Sequence, residues 1–146
     1  MPSAGRPRFW VAAYLASLLL TPAQADTHSG VVDLFAQITS ALSDDNAAGF
    51  LKGFDSKMPD YAHLKTQITA MLQNAEVANS VEALNDEGDE SKRKVDLDWY
   101  LEIRSRTAGG PLIRRREKIH CQIEKEGKHW RIVSLKPVAF FDAPAY

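Results

Sequence analysis

The hydrophobic period of this sequence changes once, near residue 75, and that change constrains the fold more than any other feature. Before it, apolar residues recur at three- and four-residue steps. Val31, Leu34, Phe35, Ile38 and Leu42 do so in "VVDLFAQITSAL", with Ser29-Gly30 as a start signal. Tyr61, Leu64, Ile68, Met71 and Leu72 do so after Pro59-Asp60. Steps of three and four place such side chains on one side of a helix. Between these helices, "SDDNAAGFLKGFD" reads as a short third one, capped by Asp44, Asp45 or Asn46 and ended at Gly53.

After the change the period is two. Residues 76–84 read as a strand, and "NDEGDESKR" as a charged hairpin loop. In "KVDLDWYLEIRSR", residues 94–106, Val95, Leu97, Trp99, Leu101 and Ile103 share one face, while Asp96, Asp98, Tyr100, Glu102, Arg104 and Arg106 share the other. "TAGG" is a turn. "PLIRRREKIHCQIEKEG", residues 111–127, alternates again, and "HWRIVSL", 129–135, is a last strand before the closing "KPVAFFDAP".

The run Arg114-Arg115-Arg116 invites a nucleic-acid reading, and strand pairing argues against it. Partners in a hairpin have residue numbers with a constant sum. An odd sum sets apolar residues opposite polar ones, so an even sum is favoured. A sum of 216 needs a three-residue loop, Thr107-Ala108-Gly109, with glycine at the left-handed position. Asp96 then faces His120, Asp98 faces Lys118, Glu102 faces Arg114 and Tyr100 lies opposite Arg116. A sum of 218 pairs Glu102 with Arg116 and Asp98 with His120. Either way the bases meet carboxylates, each pair contributing roughly 0.2–1 kcal/mol. His120 and Cys121 are adjacent in a strand and point to opposite faces, so they cannot share one site. Cys121 is a small buried hydrophobe. Arg115 and Glu117 break the pattern, because they share the parity of Ile113, Ile119 and Ile123. A bulge at that point, a polar-lined cavity, or a strand end overhanging the core would each account for them.

The chain opens with Arg6 and Arg8, an apolar run from Phe9 to Leu20, and Ala23-Gln24-Ala25. That is the order of a secretory leader, so residues 1–25 are expected to be removed and 26–146 to form one domain, exported to a periplasm or the exterior and not membrane-bound afterwards. Of 18 Lys and Arg, two lie in the leader, leaving 16 against 19 Asp and Glu, a net charge of −3. No global basic field draws such a domain to nucleic acid. One cysteine makes no internal disulfide. The four histidines lack metal-ligand spacing, and "TAGGP" lacks the strand–loop–helix setting of a phosphate loop. No metal and no cofactor are expected.

Helices first, then the long strands "KVDLDWYLEIRSR" and "RRREKIHCQIEKEGKHWRIVSL" and a closing "FF", resemble the nuclear transport factor 2-like superfamily over nearly all of residues 26–146. The resemblance implies an α+β, cystatin-like cone: three N-terminal helices packed on the concave face of a strongly curved, mostly antiparallel sheet. It also implies a pocket in the cone and, in many members, dimers through the outer sheet face. Members include ketosteroid isomerases, dehydratases, polyketide cyclases and noncatalytic binding domains, so the fold leaves function open. The enzymes would carry a carboxylate, often with a histidine or tyrosine, inside the cone. Here no catalytic residue stands out. His63 is expected to be solvated. Trp99 and Leu101 would form an apolar pocket wall, with Arg115 and Glu117 at its polar end. An arginine beside an indole makes a carboxylate a candidate ligand head group. The outer face would offer Tyr100, Arg116, Val133 and Leu135 to a homodimer. The leading expectation is a noncatalytic domain binding a small, partly apolar molecule. An assembly module and an isomerase- or hydratase-like enzyme are the alternatives.

Overall fold

A computed structural model describes residues 22–145. Three α-helices come first: α1 (Pro22–Ser43), α2 (Ala47–Leu51) and α3 (Tyr61–Asn74). Four strands follow, β1 (Ala75–Gly88), β2 (Lys92–Ser105), β3 (Leu112–Glu126) and β4 (His129–Lys136), then a 3₁₀ turn, Val138–Phe141. The strands form one antiparallel sheet in sequence order. Most of the leader expected over residues 1–25 lies outside the described residues; 22–25 fall in the first turn of α1. No helix among the described residues is long and apolar enough to cross a membrane.

The two helical stripes fold as their periods require. Ile38, Leu42, Leu64, Ile68 and Met71 are wholly buried between helices and sheet. Asn46 caps α2 by accepting the Gly49 N–H at 2.9 Å. One boundary differs from expectation. The first helix begins by Pro22 and passes through Ser29-Gly30 instead of starting there. Gly30 serves close packing, since a Cβ there would lie 2.9 Å from the Trp130 ring.

In the β2–β3 hairpin, Asp96 pairs with His120, Leu97 with Ile119 and Ile103 with Ile113, which is the sum of 216. The loop is longer than Thr107–Gly109. Regular pairing stops at Arg104 and Leu112: the Ser105 N–H still donates to the Pro111 C=O at 3.2 Å, but Pro111 has no N–H to return the bond, while the Arg106 N–H faces β1 and donates to the Asn74 C=O at 3.0 Å. Its guanidinium follows, to Asp45 and to Glu76 at 3.5 Å. Gly109 holds the left-handed position, φ 75°.

The β1–β2 hairpin is also longer than its charge suggests. Strand pairing continues to Gly88 and Arg93, and only residues 89–91 turn. An ion pair between Arg93 and Asp86 at 2.6 Å crosses the hairpin. The Asp89 carboxylate accepts the N–H groups of Ser91 and Lys92, both at 2.8 Å. Residues that read as a solvated loop are thereby ordered as strand.

Candidate cleft beside the first helix

The interior of the cone is filled. Trp99 and Leu101 are wholly buried. Trp99 meets Phe141 edge-on, ring centres 5.0 Å apart and planes at 84°, and Phe141 meets Phe50 at 5.4 Å. Such T-shaped contacts add to the area these rings bury. Trp99 is therefore part of the packed core, and the pocket expected against it is closed by Phe140 and Phe141 from the C-terminal turn. Thr27 is the one buried polar residue among the described residues. Burial pushes the Cys121 thiol up to about 12, which keeps it neutral and inert.

Arg115 and Glu117 lie opposite Leu101 and Trp99, as their parity requires. Pairing from Lys92↔Glu124 to Arg104↔Leu112 is uninterrupted, so no bulge explains them. The strand end overhangs the core. Glu117 is exposed. Arg115 is half-buried, and its Nη1 donates to the carbonyls of Phe140 at 2.9 Å and Asp142 at 2.6 Å. It pins the C-terminal segment instead of forming a polar floor with Glu117. His63 assists, its Nε2 lying 2.8 Å from Asp142 Oδ1. The carboxylate-binding role drawn for Arg115 loses its geometric basis here, because the guanidinium is committed to the chain's own carbonyls.

On the outer face Tyr100 and Arg116 are placed as expected. Arg116 donates to both oxygens of Asp98, the shortest bond being 2.6 Å. That bond holds the Asp98 carboxyl below its ordinary range and raises the guanidinium. Asp98 takes this diagonal partner in place of Lys118. The Tyr100 hydroxyl donates to Glu102 at 2.9 Å, which raises its pKa. His120 meets Asp96 at 2.7 Å and Arg114 meets Glu102 at 3.6 Å. Leu135 is a correction. The β3–β4 register passes from Gln122↔Ser134 to Ile123↔Ile132 and leaves Val133 as an extra residue. A bulge reverses the parity beyond it, so Leu135 points into the core beside Cys121, 4% exposed. Val133 remains half-buried.

An accessible concavity lies elsewhere, where the β1–β2 hairpin diverges from α1. It is an open cleft of about 1320 Å³. His28, Val32, Ala36 and Thr39, at four-, four- and three-residue steps, form a second stripe of α1 along one wall. Val31, Phe35, Val95 and Leu97 make an apolar floor, and Val81 and Ala83 of β1 the other wall. Val32 is 51% exposed. The lip carries Asp86, Asp89 and Glu90 against Arg93. Asp89 is held below the ordinary carboxylate range by the backbone N–H groups of Ser91 and Lys92, so it stays ionised. An excess of acids at the lip suits a neutral or cationic head group better than a carboxylate. No group of three or more possible metal ligands comes together among the described residues. These residues escaped sequence reading because the hairpin tip looked like loop. The stripe from His28 to Thr39 was legible, on a different side of the helix from Leu34 and Ile38.

No family model matches this chain, and no curated protein does either. Solved structures do. A scytalone dehydratase-like protein from Novosphingobium aromaticivorans superposes with a TM-score of 0.67 at 9% identity, over 76% of this chain and 85% of that one. The fold is the nuclear transport factor 2-like cone. A hexachlorocyclohexane dehydrochlorinase matches this cone with a TM-score of 0.62 at 11% identity, over 77% of this chain and 84% of that one. A protein of unknown function with a cystatin-like fold, from Nostoc punctiforme, matches it with 0.53 at 18% identity, over 80% and 90%. At these identities the cone is shared and chemistry is not transferred.

Proposed function

We propose that this nuclear transport factor 2-like domain is exported and noncatalytic, and that it holds a small, partly apolar molecule in the cleft between α1 and the β1–β2 hairpin. The observation that carries this reading is Val32. A large apolar side chain half exposed to water beside Val81 and Ala83, above the floor of Phe35 and Leu97, is a surface that burial under a ligand would stabilise. The filled cone around Trp99 leaves the cleft beside α1, and not the cone interior, as the place for such a molecule.

Nile red, a neutral apolar dye, tests the cleft. It fluoresces on binding the wild-type domain, and Ala36→Trp, which fills the cleft, abolishes the signal with the melting temperature retained. Equal fluorescence from both proteins removes the cleft from consideration. Export is tested by mass spectrometry of the secreted protein, whose expected first residue is Asp26. A homodimer through Tyr100, Arg116 and Val133 remains part of the proposal, without Leu135.

A further inference from the structure

The sheet has two edges, and they are treated differently. At β4 the Ile132 N–H donates to the Gly53 C=O at 2.8 Å, and the Asp55 N–H donates to the Ile132 C=O at 2.9 Å. That edge is covered at Ile132. Strand β1 has β2 on one side, and among the described residues no backbone group pairs with its other side. An uncovered edge is a template for another extended chain.

The register tells which groups face outward. The Arg106 N–H donates to the Asn74 C=O, and pairing keeps one step from Ala75↔Ser105 to Ala83↔Leu97. In an antiparallel ladder, alternate residues turn both backbone groups to the same side. Even-numbered residues of β1 therefore bond to β2, and Asn79, Val81 and Ala83 present N–H and C=O to the open side; Val77 turns the same way but is buried, so the accessible edge begins at Asn79. Val81 and Ala83 also wall the cleft. A strand laid about 4.8 Å beyond β1 would point every second side chain into the cleft mouth, towards Val32 and Ala36.

Charge selects the occupant. Residues 75–88 contain Glu76, Glu82, Asp86 and Glu87 and no Lys or Arg. Glu82 lies opposite Asp98 on β2, whose carboxylate is already bonded to Arg116. A second copy pairing edge to edge would bring this acidic strand against itself. The register shift between Ala83 and Asn85 further limits regular pairing to residues 79–83. The geometry points to strand addition at Asn79–Ala83 by an extended polypeptide of alternating apolar and basic residues: apolar side chains enter the cleft mouth, and a basic one meets the exposed Glu82 on the outer face, Glu76 being already paired with Arg106. This goes beyond the small-molecule reading, since it uses the main chain of β1 and not the cleft floor.

The probe is a fluorescently labelled ten-residue peptide of alternating Val and Lys, with a Val–Glu peptide as control, titrated against the full domain by anisotropy. The Val–Lys peptide is expected to bind, more weakly at raised ionic strength, and the Val–Glu peptide is not. Val81→Pro removes an outward N–H without costing a bond to β2, and Glu82→Lys reverses the selecting charge. Each is expected to weaken binding about tenfold or more. Should Val81→Pro fail to fold by circular dichroism, the exposed Glu82→Lys carries the test. No binding of the Val–Lys peptide, binding unchanged by Glu82→Lys, or equal binding of the Val–Glu peptide overturns the proposal. So does a dimer that Val81→Pro dissociates, which assigns the edge to a second copy. Glu82→Lys leaves the dye site intact, so peptide binding and Nile red binding fail independently.

Discussion

The Trp99 indole N–H donates to Asn79 Oδ1 at 3.1 Å, and Asn79 Nδ2 in turn donates to the Thr39 C=O at 3.0 Å and to Ser43 Oγ at 2.7 Å. One amide thus joins the indole at the centre of the sheet to the last turns of α1. Replacing Asn79 by Ala leaves the buried indole N–H without its partner and frees the helix end. A buried donor left unpaired costs about 1–3 kcal/mol. Urea unfolding should show a loss of that size. In the Trp99→Phe background, where no donor remains, the same substitution should cost measurably less. Equal costs in the two backgrounds would show that the bond does not couple the residues.

Gly30 offers a second test. Glycine to alanine within a helix ordinarily gains about 1 kcal/mol. Here a Cβ would sit 2.9 Å from the Trp130 ring, which is itself 5% exposed and has little room to withdraw. Overpacking of this kind costs about 1–3 kcal/mol. Gly30→Val, larger and β-branched, should lower the melting temperature. A stabilised Gly30→Val protein would mean that Trp130 does not rest on α1.

The bulge at Val133 is testable by contrast with its neighbour. Leu135→Ala should destabilise by about 2–5 kcal/mol as a core truncation, while Val133→Ala should fall well below that range. Sequence parity alone would make the two alike. Light scattering on Val133→Lys separately tests the outer face: a wild-type dimer that Val133→Lys converts to monomer is expected, and a wild type that is monomeric at micromolar concentration ends that part of the proposal.

Asp98 and Cys121 respond to pH in opposite directions. The Asp98 carboxyl is depressed in the fold, first by its hydrogen bond from Arg116. Its contribution is present in full above the ordinary carboxylate range and is lost as pH falls through and below it. Asp98→Asn should flatten the acid limb of a stability–pH profile. Cys121 moves the other way. Its folded value of about 12 lies above the free-thiol value, so its contribution is complete at neutral pH and declines as alkaline pH rises towards that value. A disulfide reagent should leave the native thiol unmodified at pH 8 and label it once urea unfolds the chain. Rapid labelling of the folded protein would contradict the buried position.

The helix-to-strand switch, the two helical stripes and the even pairing sum of the β2–β3 hairpin were legible in the residues themselves, while the choice between sums of 216 and 218 was not. Each rests on a local repeat. A period of 3.6 or 2 needs only one apolar face, and an even pairing sum follows from keeping Leu97 with Ile119 on that face. Complementary charge followed from either sum, and the structure selects Asp96–His120 and Glu102–Arg114. Only the tertiary structure decided what happens where repeats end or slip. Leu135 faces inward because one unpaired residue, Val133, reverses parity, and nothing in "HWRIVSL" marks that residue. Gly30 is a contact point and not a helix start, because Trp130 arrives from a strand 100 residues away. Arg115 found the carbonyls of Phe140 and Asp142, and Phe141 filled the cone, once the C-terminal turn folded back. The cleft depends on how far the hairpin tip departs from α1. That divergence belongs to the packing of two distant segments and is written in the period of neither.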